Sequence, residues 1–160
     1  MIGCGNSRLS EEMDNDGFHN IVNIDSSKTV IENMVEAYKD RPTLVWTVMN
    51  CTAMEYKDAT FDSVLDKGTL DSILCGEGST ANVAKYCREV SRVLTEKGVF
   101  VVVSYGIPDN RLSYLENEEY GWKVNVHTIP KPTVRSPEHG NVIFSIIFCR
   151  NSPQIAFFSS

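Results

Sequence analysis

Two glycines near the start of the chain and a carboxylate downstream of them are spaced so that they could act on one ligand. Gly3 and Gly5 open a segment with helical periodicity, and Asp25 ends the apolar run that follows it. Glycine lets a backbone approach a ligand where a Cβ would collide, and a carboxylate at this spacing can accept both hydroxyls of a ribose. A dinucleotide-binding turn has a third glycine where this chain has Arg8. The pattern therefore favours a nucleoside over a nicotinamide dinucleotide, with a simple tight turn as the alternative.

A second group of polar residues directly follows the fourth apolar run, in the order Asp66-Lys67-Gly68-Thr69-Leu70-Asp71. Charged and small residues at the end of a strand can line a site at the edge of a parallel sheet. The alternative is an exposed ion pair between Lys67 and Asp71 at the start of a helix, which would contribute little to stability.

The cysteines and histidines do not have the spacing of a metal site. Five cysteines occur with no C-x-x-C pair and no histidine at ligand distance from them. We expect reduced thiols, no metal, and no chemistry from the three histidines. The cysteines are Cys4, Cys51, Cys75, Cys87 and Cys149.

Composition is that of one globular domain. The 160 residues are 42% hydrophobic and 22% charged, with a net charge of -6. We expect one domain over residues 1–150 and a tail over 151–160. No apolar run reaches the length of a membrane span and no secretion signal is visible, which predicts a cytoplasmic protein without membrane contact. The negative charge argues against nucleic acid as a partner and is compatible with a basic protein.

Periodicity predicts alternating helices and strands. Ser26 or Ser27 is expected to cap the second helix, Ser79 or Thr80 to cap a later one, and Gly98 to end that helix. Two strand-like runs near the end, with no helix between them, are expected to pair antiparallel. The predicted helices include residues 7–16 and one or two turns over 111–116, and the predicted strands are 21–24, 44–49, 61–66, 99–103, 122–129 and 141–149.

The chain resembles class I S-adenosylmethionine-dependent methyltransferases, more narrowly the branch of the lysine methyltransferases of translation elongation factor 1-alpha. The resemblance lies in Gly3 to Ser7, the strand ending at Asp25, Trp46 to Asn50 and, above all, Asp66 to Asp71. It extends from Ile2 to the final strand near Arg150. It implies a doubly wound Rossmann-like α/β fold with a seven-stranded sheet, whose last strand is inserted antiparallel between the fifth and sixth.

The resemblance also implies roles for residues around S-adenosyl-L-methionine. Gly3 and Gly5 would lie against its methionine and ribose portions, and Asp25 would accept from the ribose hydroxyls. Ser26 would touch the adenine edge. Asp66 and Lys67 would line the methionine end.

At the adenine amino group the sequence departs from the family pattern. The family usually places an acidic residue where this chain has Asn50, and the backbone N–H of Cys51 would face a ring nitrogen. The amide oxygen of Asn50 can still accept from the amine. We expect weaker recognition there.

The expected reaction is methyl transfer to a protein lysine amine on an elongation factor 1-alpha-like substrate, leaving S-adenosyl-L-homocysteine. Asp66 and Tyr105 are the candidate catalytic residues on the acceptor side. A groove that disfavours a charged amine by desolvation would assist the reaction. Two alternatives are a catalytically degenerate binding or scaffold protein and a small-molecule methyltransferase.

The first strand of such a sheet is expected to be truncated, because only Met1 and Ile2 precede the glycine turn. The helical segment that the family has before this strand has no counterpart here. A missing central strand would leave backbone groups of its neighbours unpaired. Three explanations are compatible with this pattern: a fragment, replacement of the gap by another chain, or a degenerate protein.

Overall fold

The structure is a computed structural model, and it describes residues 1–130 and 143–151. Helices and strands alternate along most of the chain. The elements are α1 (Leu9–Asn15), β1 (Ile21–Asp25), α2 (Lys28–Ala37), β2 (Leu44–Val48), β3 (Phe61–Lys67), α3 (Thr69–Leu74), α4 (Ser79–Val93), β4 (Leu94–Ser104), α5 (Asp109–Leu115), a 3-10 turn (Glu118–Tyr120), β5 (Trp122–Pro130) and β6 (Ile143–Asn151).

The strands lie in the order β2, β1, β3, β4, β6, β5, with Ile2 between β1 and β3. β1 and β2 pair in parallel, as do β3 and β4, because helices connect the members of each pair. β6 lies between β4 and β5 and is antiparallel to both. The sheet thus has six strands in the described part of the chain.

The first residues hold the central position of this sheet. Ile2 forms parallel bridges to Ile24 and to Asp66. Its N–H donates to the carbonyl of Leu65 at 2.9 Å, and the N–H of Ile24 donates to the carbonyl of Met1 at 2.9 Å. Met1 and Ile2 therefore hydrogen-bond to both neighbouring strands at the point where the glycine turn begins.

The core lies between the sheet and α4. Phe100 and Val102 of β4 are fully buried, as is Tyr86 of α4. The ring of Phe100 packs edge-on against Tyr86 at 5.9 Å between centroids and lies 5.6 Å from that of Trp122. The run predicted at 99–103 has no exposed residue, as expected for a strand covered on both faces.

The start of α2 agrees with the sequence prediction, and the start of α4 does not. Ser27 caps α2, and its hydroxyl accepts from the N–H of Val30 at 3.3 Å, as predicted. The prediction of Ser79 or Thr80 as the next cap is wrong, because Gly78 holds that position in the left-handed region, at φ +65°. A glycine adopts this conformation without the steric cost that a Cβ brings.

Gly98 does not end α4. The helix ends at Val93, Leu94 is already extended, and Gly98 lies inside β4. A Cβ on Gly98 would lie 2.8 Å from Leu94 Cδ2 and 2.9 Å from the carbonyl oxygen of Thr95. Glycine is therefore required at this position because Leu94 and Thr95 lie close to it, and not because it caps a helix.

Two predicted segments extend beyond the described residues. The last strand was predicted from Asn141, and β6 begins at Ile143. The predicted tail after Asn151 also lies outside the described part.

Candidate functional site

A cavity of about 580 Å3 opens at the carboxyl ends of β1, β2 and β3. This is the edge at which open parallel sheets bind ligands, and the volume suits a nucleoside-sized molecule. It is lined by Gly3, Asp25, Ser26, Met49, Asn50, Cys51, Thr52, Lys67, Gly68, Thr69, Ser72, Ile73, Gly76 and Asn82. Six of the eight predicted cofactor-binding residues are in this set, and Gly5 and Asp66 are not.

The glycine turn is packed against the start of α3. Gly3 has φ +56°, and a Cβ at this position would overlap the side chain of Thr69. The Thr69 hydroxyl donates to the carbonyl of Ile2 at 3.0 Å. Both the backbone conformation and the space at Gly3 therefore require glycine.

Gly5 contacts the carboxylate of Asp25 and does not line the cavity. Its N–H donates to Asp25 Oδ2 at 2.9 Å, and the N–H of Ser27 donates to Asp25 Oδ1 at 2.9 Å. One donor on each oxygen fixes the plane of the carboxylate at the cavity wall. Each carboxylate oxygen has two lone pairs, so each retains one acceptor position.

Asn50 is committed to a local turn. Its Oδ1 accepts from both the N–H and the hydroxyl of Thr52, each at 2.9 Å. Both lone pairs of the amide oxygen are thus in use, which leaves the NH2 group as the free polar part of the side chain. The predicted acceptor for an adenine amine is therefore already occupied in this structure.

Cys51, beside it, is half-buried and lines the cavity. Burial raises the pKa of its thiol to about 11, and the nearby carboxylate of Asp66 acts in the same direction. The thiol is therefore protonated at neutral pH and is a poor nucleophile.

Asp66 is fully buried and does not line the cavity. Its carboxylate accepts from the N–H of Thr69 at 2.7 Å, the N–H of Leu70 at 2.8 Å and the hydroxyl of Tyr86. Its oxygens face the start of α3 and not the cavity in this structure, and contact of Asp66 with cofactor and acceptor stays a prediction. Asp66 instead connects β3, α3 and α4.

Burial also raises the pKa of the Asp66 carboxyl to about 6, although the three hydrogen bonds favour the ionised form. The pKa of the Tyr86 hydroxyl is raised well above its usual range, by burial first and by the charge of Asp66 second. Tyr86 therefore stays protonated and donates to Asp66.

Lys67 and Gly68 come between Asp66 and the helix. Lys67 is exposed and lines the cavity, so its ammonium can reach an anionic group of a ligand. The predicted alternative, an ion pair of Lys67 with Asp71, is wrong: Asp71 pairs with Arg111, which is 2.8 Å away.

Tyr105 lies at the rim of this end of the cavity. It is 57% exposed, and its ring carbon Cε2 is 3.8 Å from the position that a Cβ on Gly68 would occupy. Its backbone N–H donates to Asp71 Oδ2 at 2.8 Å. The structure therefore places Tyr105 near the site and Asp66 behind it.

Three residues at this end of the cavity have structural roles that the sequence did not indicate: Thr69, Tyr86 and Arg111. Thr69 lies within the segment Asp66 to Asp71, so the sequence indicated its proximity to the site but not its contact with the glycine turn. Tyr86 and Arg111 are 20 and 40 residues from their carboxylate partners, and no local pattern links them.

The part of the chain that the structure describes contains neither a metal-binding cluster nor a membrane-spanning helix. No group of three or more His, Cys, Asp or Glu residues there is arranged to hold a metal ion. No helix there is long and apolar enough to cross a bilayer.

Comparison with known proteins gives consistent matches. A family model described as a methyltransferase domain matches residues 1–102. The chain is 36% identical to the eEF1A lysine and N-terminal methyltransferase of Homo sapiens over 163 aligned residues, covering 96% of this chain and 23% of that protein. It is 35% identical to EEF1A lysine methyltransferase 4 of Mus musculus, covering 80% of this chain and 53% of that protein. The chain thus spans about a quarter and about half of these relatives.

The fold has matches among solved structures as well. A SAM-dependent methyltransferase from Methanosarcina mazei superposes with a TM-score of 0.74 at 14% identity, covering 94% of this chain and 90% of that one. At this identity the match shows the fold alone, which is Rossmann-like. The family model, the relatives and the position of the cavity agree, and this chain belongs to the S-adenosylmethionine-dependent methyltransferase family.

Proposed function

We propose that this chain binds S-adenosylmethionine in the cavity and takes part in transfer of its methyl group to a lysine amine of an elongation factor 1-alpha-like protein. The family fixes the cofactor. The acceptor is carried over from the names of two relatives that the chain matches over part of their length. Such an acceptor would place the reaction in the cytoplasm, within a single domain over residues 1–150.

The observation that carries the proposal is the geometry of Asp25. Its two oxygens are each held by one backbone N–H and each keep one acceptor position. A ribose presents two neighbouring hydroxyls, which can donate one hydrogen bond to each oxygen. The residues present therefore fit the nucleoside part of the cofactor.

The remaining lining residues complete the fit. The backbone at Gly3 forms the wall beside Asp25, and Ser26 and Cys51 extend the wall towards the position of the adenine. Lys67, at the other end, supplies a positive charge for the carboxylate of the methionine portion. This arrangement follows the assignment made from the sequence, except at Asp66.

The cofactor supplies a methyl group activated by a sulfonium, and the protein has to present a neutral amine to it. Neither carboxylate near the acceptor side is placed to accept a proton from an incoming amine: Asp66 is buried against α3, and Asp71 is paired with Arg111. The proposed contribution of the chain is therefore orientation and desolvation of the amine, which lowers the pKa of an ammonium. Tyr105 is the residue best placed to shield it from water.

Isothermal titration with S-adenosylhomocysteine tests the binding step. The wild-type chain should bind, and Asp25→Ala should reduce the affinity at least tenfold, the equivalent of about 1.4 kcal/mol. Asp62→Ala is the matched control, since this exposed carboxylate also lies on a strand but not at the cavity. No heat with the wild type, or equal losses in both variants, would exclude the proposed site.

A second candidate, a binding or scaffold protein that keeps the fold without catalysis, is favoured by one observation: the acceptor oxygen of Asn50 is already used by Thr52. Incubation with radiolabelled S-adenosylmethionine and purified elongation factor 1-alpha separates the candidates. Label in the protein supports the methyltransferase. Cofactor binding without label supports the scaffold, and label only in small molecules supports a small-molecule acceptor.

A further inference from the structure

A half-buried ion pair connects α5 to the acceptor side of the cavity. Arg111 Nε and Nη2 approach Asp71 Oδ1 at 2.9 and 2.8 Å, and Nε also donates to the hydroxyl oxygen of Ser104 at 3.0 Å. The Ser104 hydroxyl donates to the same Asp71 oxygen at 2.6 Å. The side chains of Arg111 and Asp71 are only 17% and 16% exposed.

The same three side chains hold the backbone of the loop between β4 and α5. Asp71 Oδ2 accepts from the N–H of Tyr105 at 2.8 Å, and the Ser104 oxygen accepts from the N–H of Gly106 at 3.0 Å. The guanidinium of Arg111 lies directly against Gly106, where an added Cβ would overlap it. Asp71 and Ser104 therefore each hold one of two successive loop amides, and Arg111 bonds to both of these side chains.

This loop carries two exposed side chains with large apolar surfaces. Tyr105 is 57% exposed and Ile107 is 61% exposed. The Tyr105 ring stands over Gly68, which lines the cavity. Because Arg111 bonds to both side chains that accept from the loop amides, its guanidinium orients the acceptors that hold the backbone beside Gly68.

We propose that Arg111, anchored by Asp71 and Ser104, is a positioning residue that fixes the Tyr105–Ile107 loop as the acceptor-side wall of the cavity. The inference rests on the proposed methyl transfer and extends it to substrate specificity. It separates two functions of the site: residues at the ends of β1, β2 and β3 hold the cofactor, and the Asp71–Arg111 pair sets the surface that receives the acceptor. Disturbing the pair should change acceptor recognition and leave cofactor affinity unchanged.

Hydrogen exchange tests the structural half of the proposal without any activity. In Arg111→Lys the ammonium cannot make the two-point contact of a guanidinium, and in Gly106→Ala the new Cβ displaces it. Both variants should accelerate exchange of the Tyr105 and Gly106 amides roughly tenfold or more, with no change in α4. Arg88→Lys is the control, because it alters a similar but exposed pair with Glu119. Unchanged exchange over residues 104–108 would overturn the proposal.

Kinetics with purified elongation factor 1-alpha test the functional half. In both variants KM for the protein acceptor should rise about tenfold, while the Kd for S-adenosylhomocysteine stays within roughly twofold of wild type. A parallel loss of cofactor affinity, or an unchanged KM despite faster loop exchange, would overturn the proposal. A wild-type chain that does not transfer methyl groups would instead overturn the proposed function, and the acceptor role with it, whatever the exchange data show.

Discussion

At the scale of single residues, Asn50 shows how a local hydrogen bond can remove a group from ligand recognition. Its side-chain oxygen looks suited to an adenine amine, but it accepts twice from Thr52. A carboxylate at this position would differ from the amide because it has two acceptor oxygens. One oxygen could accept from Thr52 while the other accepts from the ligand. The choice of residue at this position should therefore set cofactor affinity.

Asn50→Asp should raise the affinity for S-adenosylhomocysteine. One carboxylate oxygen keeps the bonds to Thr52, and the other gains a hydrogen bond of about 1 kcal/mol, a roughly fivefold effect measured by isothermal titration. Thr52→Val is the matched variant, since it removes one of the two donors on Asn50 and should also increase affinity. Unchanged affinity in both would mean that the Asn50 side chain does not face the adenine.

At the scale of elements, the contact between the glycine turn and α3 should be measurable. Gly3→Ala introduces a Cβ at positive φ that also overlaps Thr69, and should lower the free energy of unfolding by about 2–4 kcal/mol. Gly5→Ala, at φ +52° with no atom within 4 Å of the added Cβ, adds backbone strain only. The difference between the two variants in the free energy of unfolding, measured in urea, gives the cost of the overlap with Thr69.

A double variant checks that assignment. Thr69→Ala removes the atoms that the new Cβ would meet, so combined with Gly3→Ala it should destabilise by less than the sum of the single changes, by about 1 kcal/mol or more. Additive losses, or equal losses in the two glycine variants, would contradict the tight packing of the turn on α3.

The buried carboxylate of Asp66 should make the stability of this element depend on pH. Its pKa rises from 3.8 to about 6 on folding, so the folded state binds the proton more tightly. The corresponding stability is fully present below about pH 4 and is lost as the pH rises through about 6. The free energy of unfolding of wild type minus that of Asp66→Asn should fall by 2–3 kcal/mol, on the order of two pKa units, between pH 4 and pH 7. A difference that does not change with pH would contradict the burial of an ionisable group. Asp62→Asn is the control, because Asp62 lies on the same strand and is exposed.

The elements also show what sequence can and cannot predict here. Strands and the Ser27 cap followed from local patterns, because periodicity and capping act over a few residues. The orientation of Asp66 could not be predicted, because a carboxylate at the end of a strand has the same local sequence whether it faces a cavity or accepts from the first N–H groups of a helix. In this structure Asp66 is held by the hydroxyl of Tyr86, which lies on a different helix and has no local sequence link to it. Arg111 was not assigned a role for the same reason, since its partner is 40 residues earlier.

At the scale of the whole molecule, the charge balance bears on the proposed acceptor. The chain has 21 acidic and 15 basic residues, for a net charge of -6. A basic protein would be attracted over a distance comparable to the Debye length, about 10 Å at 0.1 M salt. Attraction of this kind accelerates encounter and does not require a contact in the cavity. The net charge is therefore expected to raise the association rate with a basic protein independently of the residues in the cavity.

Salt should accordingly slow the reaction with a protein acceptor more than with a small one. Raising the sodium chloride concentration from about 50 to about 300 mM should lower kcat/KM for elongation factor 1-alpha roughly three- to tenfold, because screening weakens the long-range field. A lysine-containing peptide with no net charge should change by less than about twofold, since it feels little of that field. The two acceptors share the cavity and the chemistry, so their comparison cancels any effect of salt on the chemical step or on cofactor binding. Equal salt dependence for both would mean that the acceptor is recognised at the cavity rim alone, by the loop that Arg111 holds, and that the overall charge has no part in guiding it.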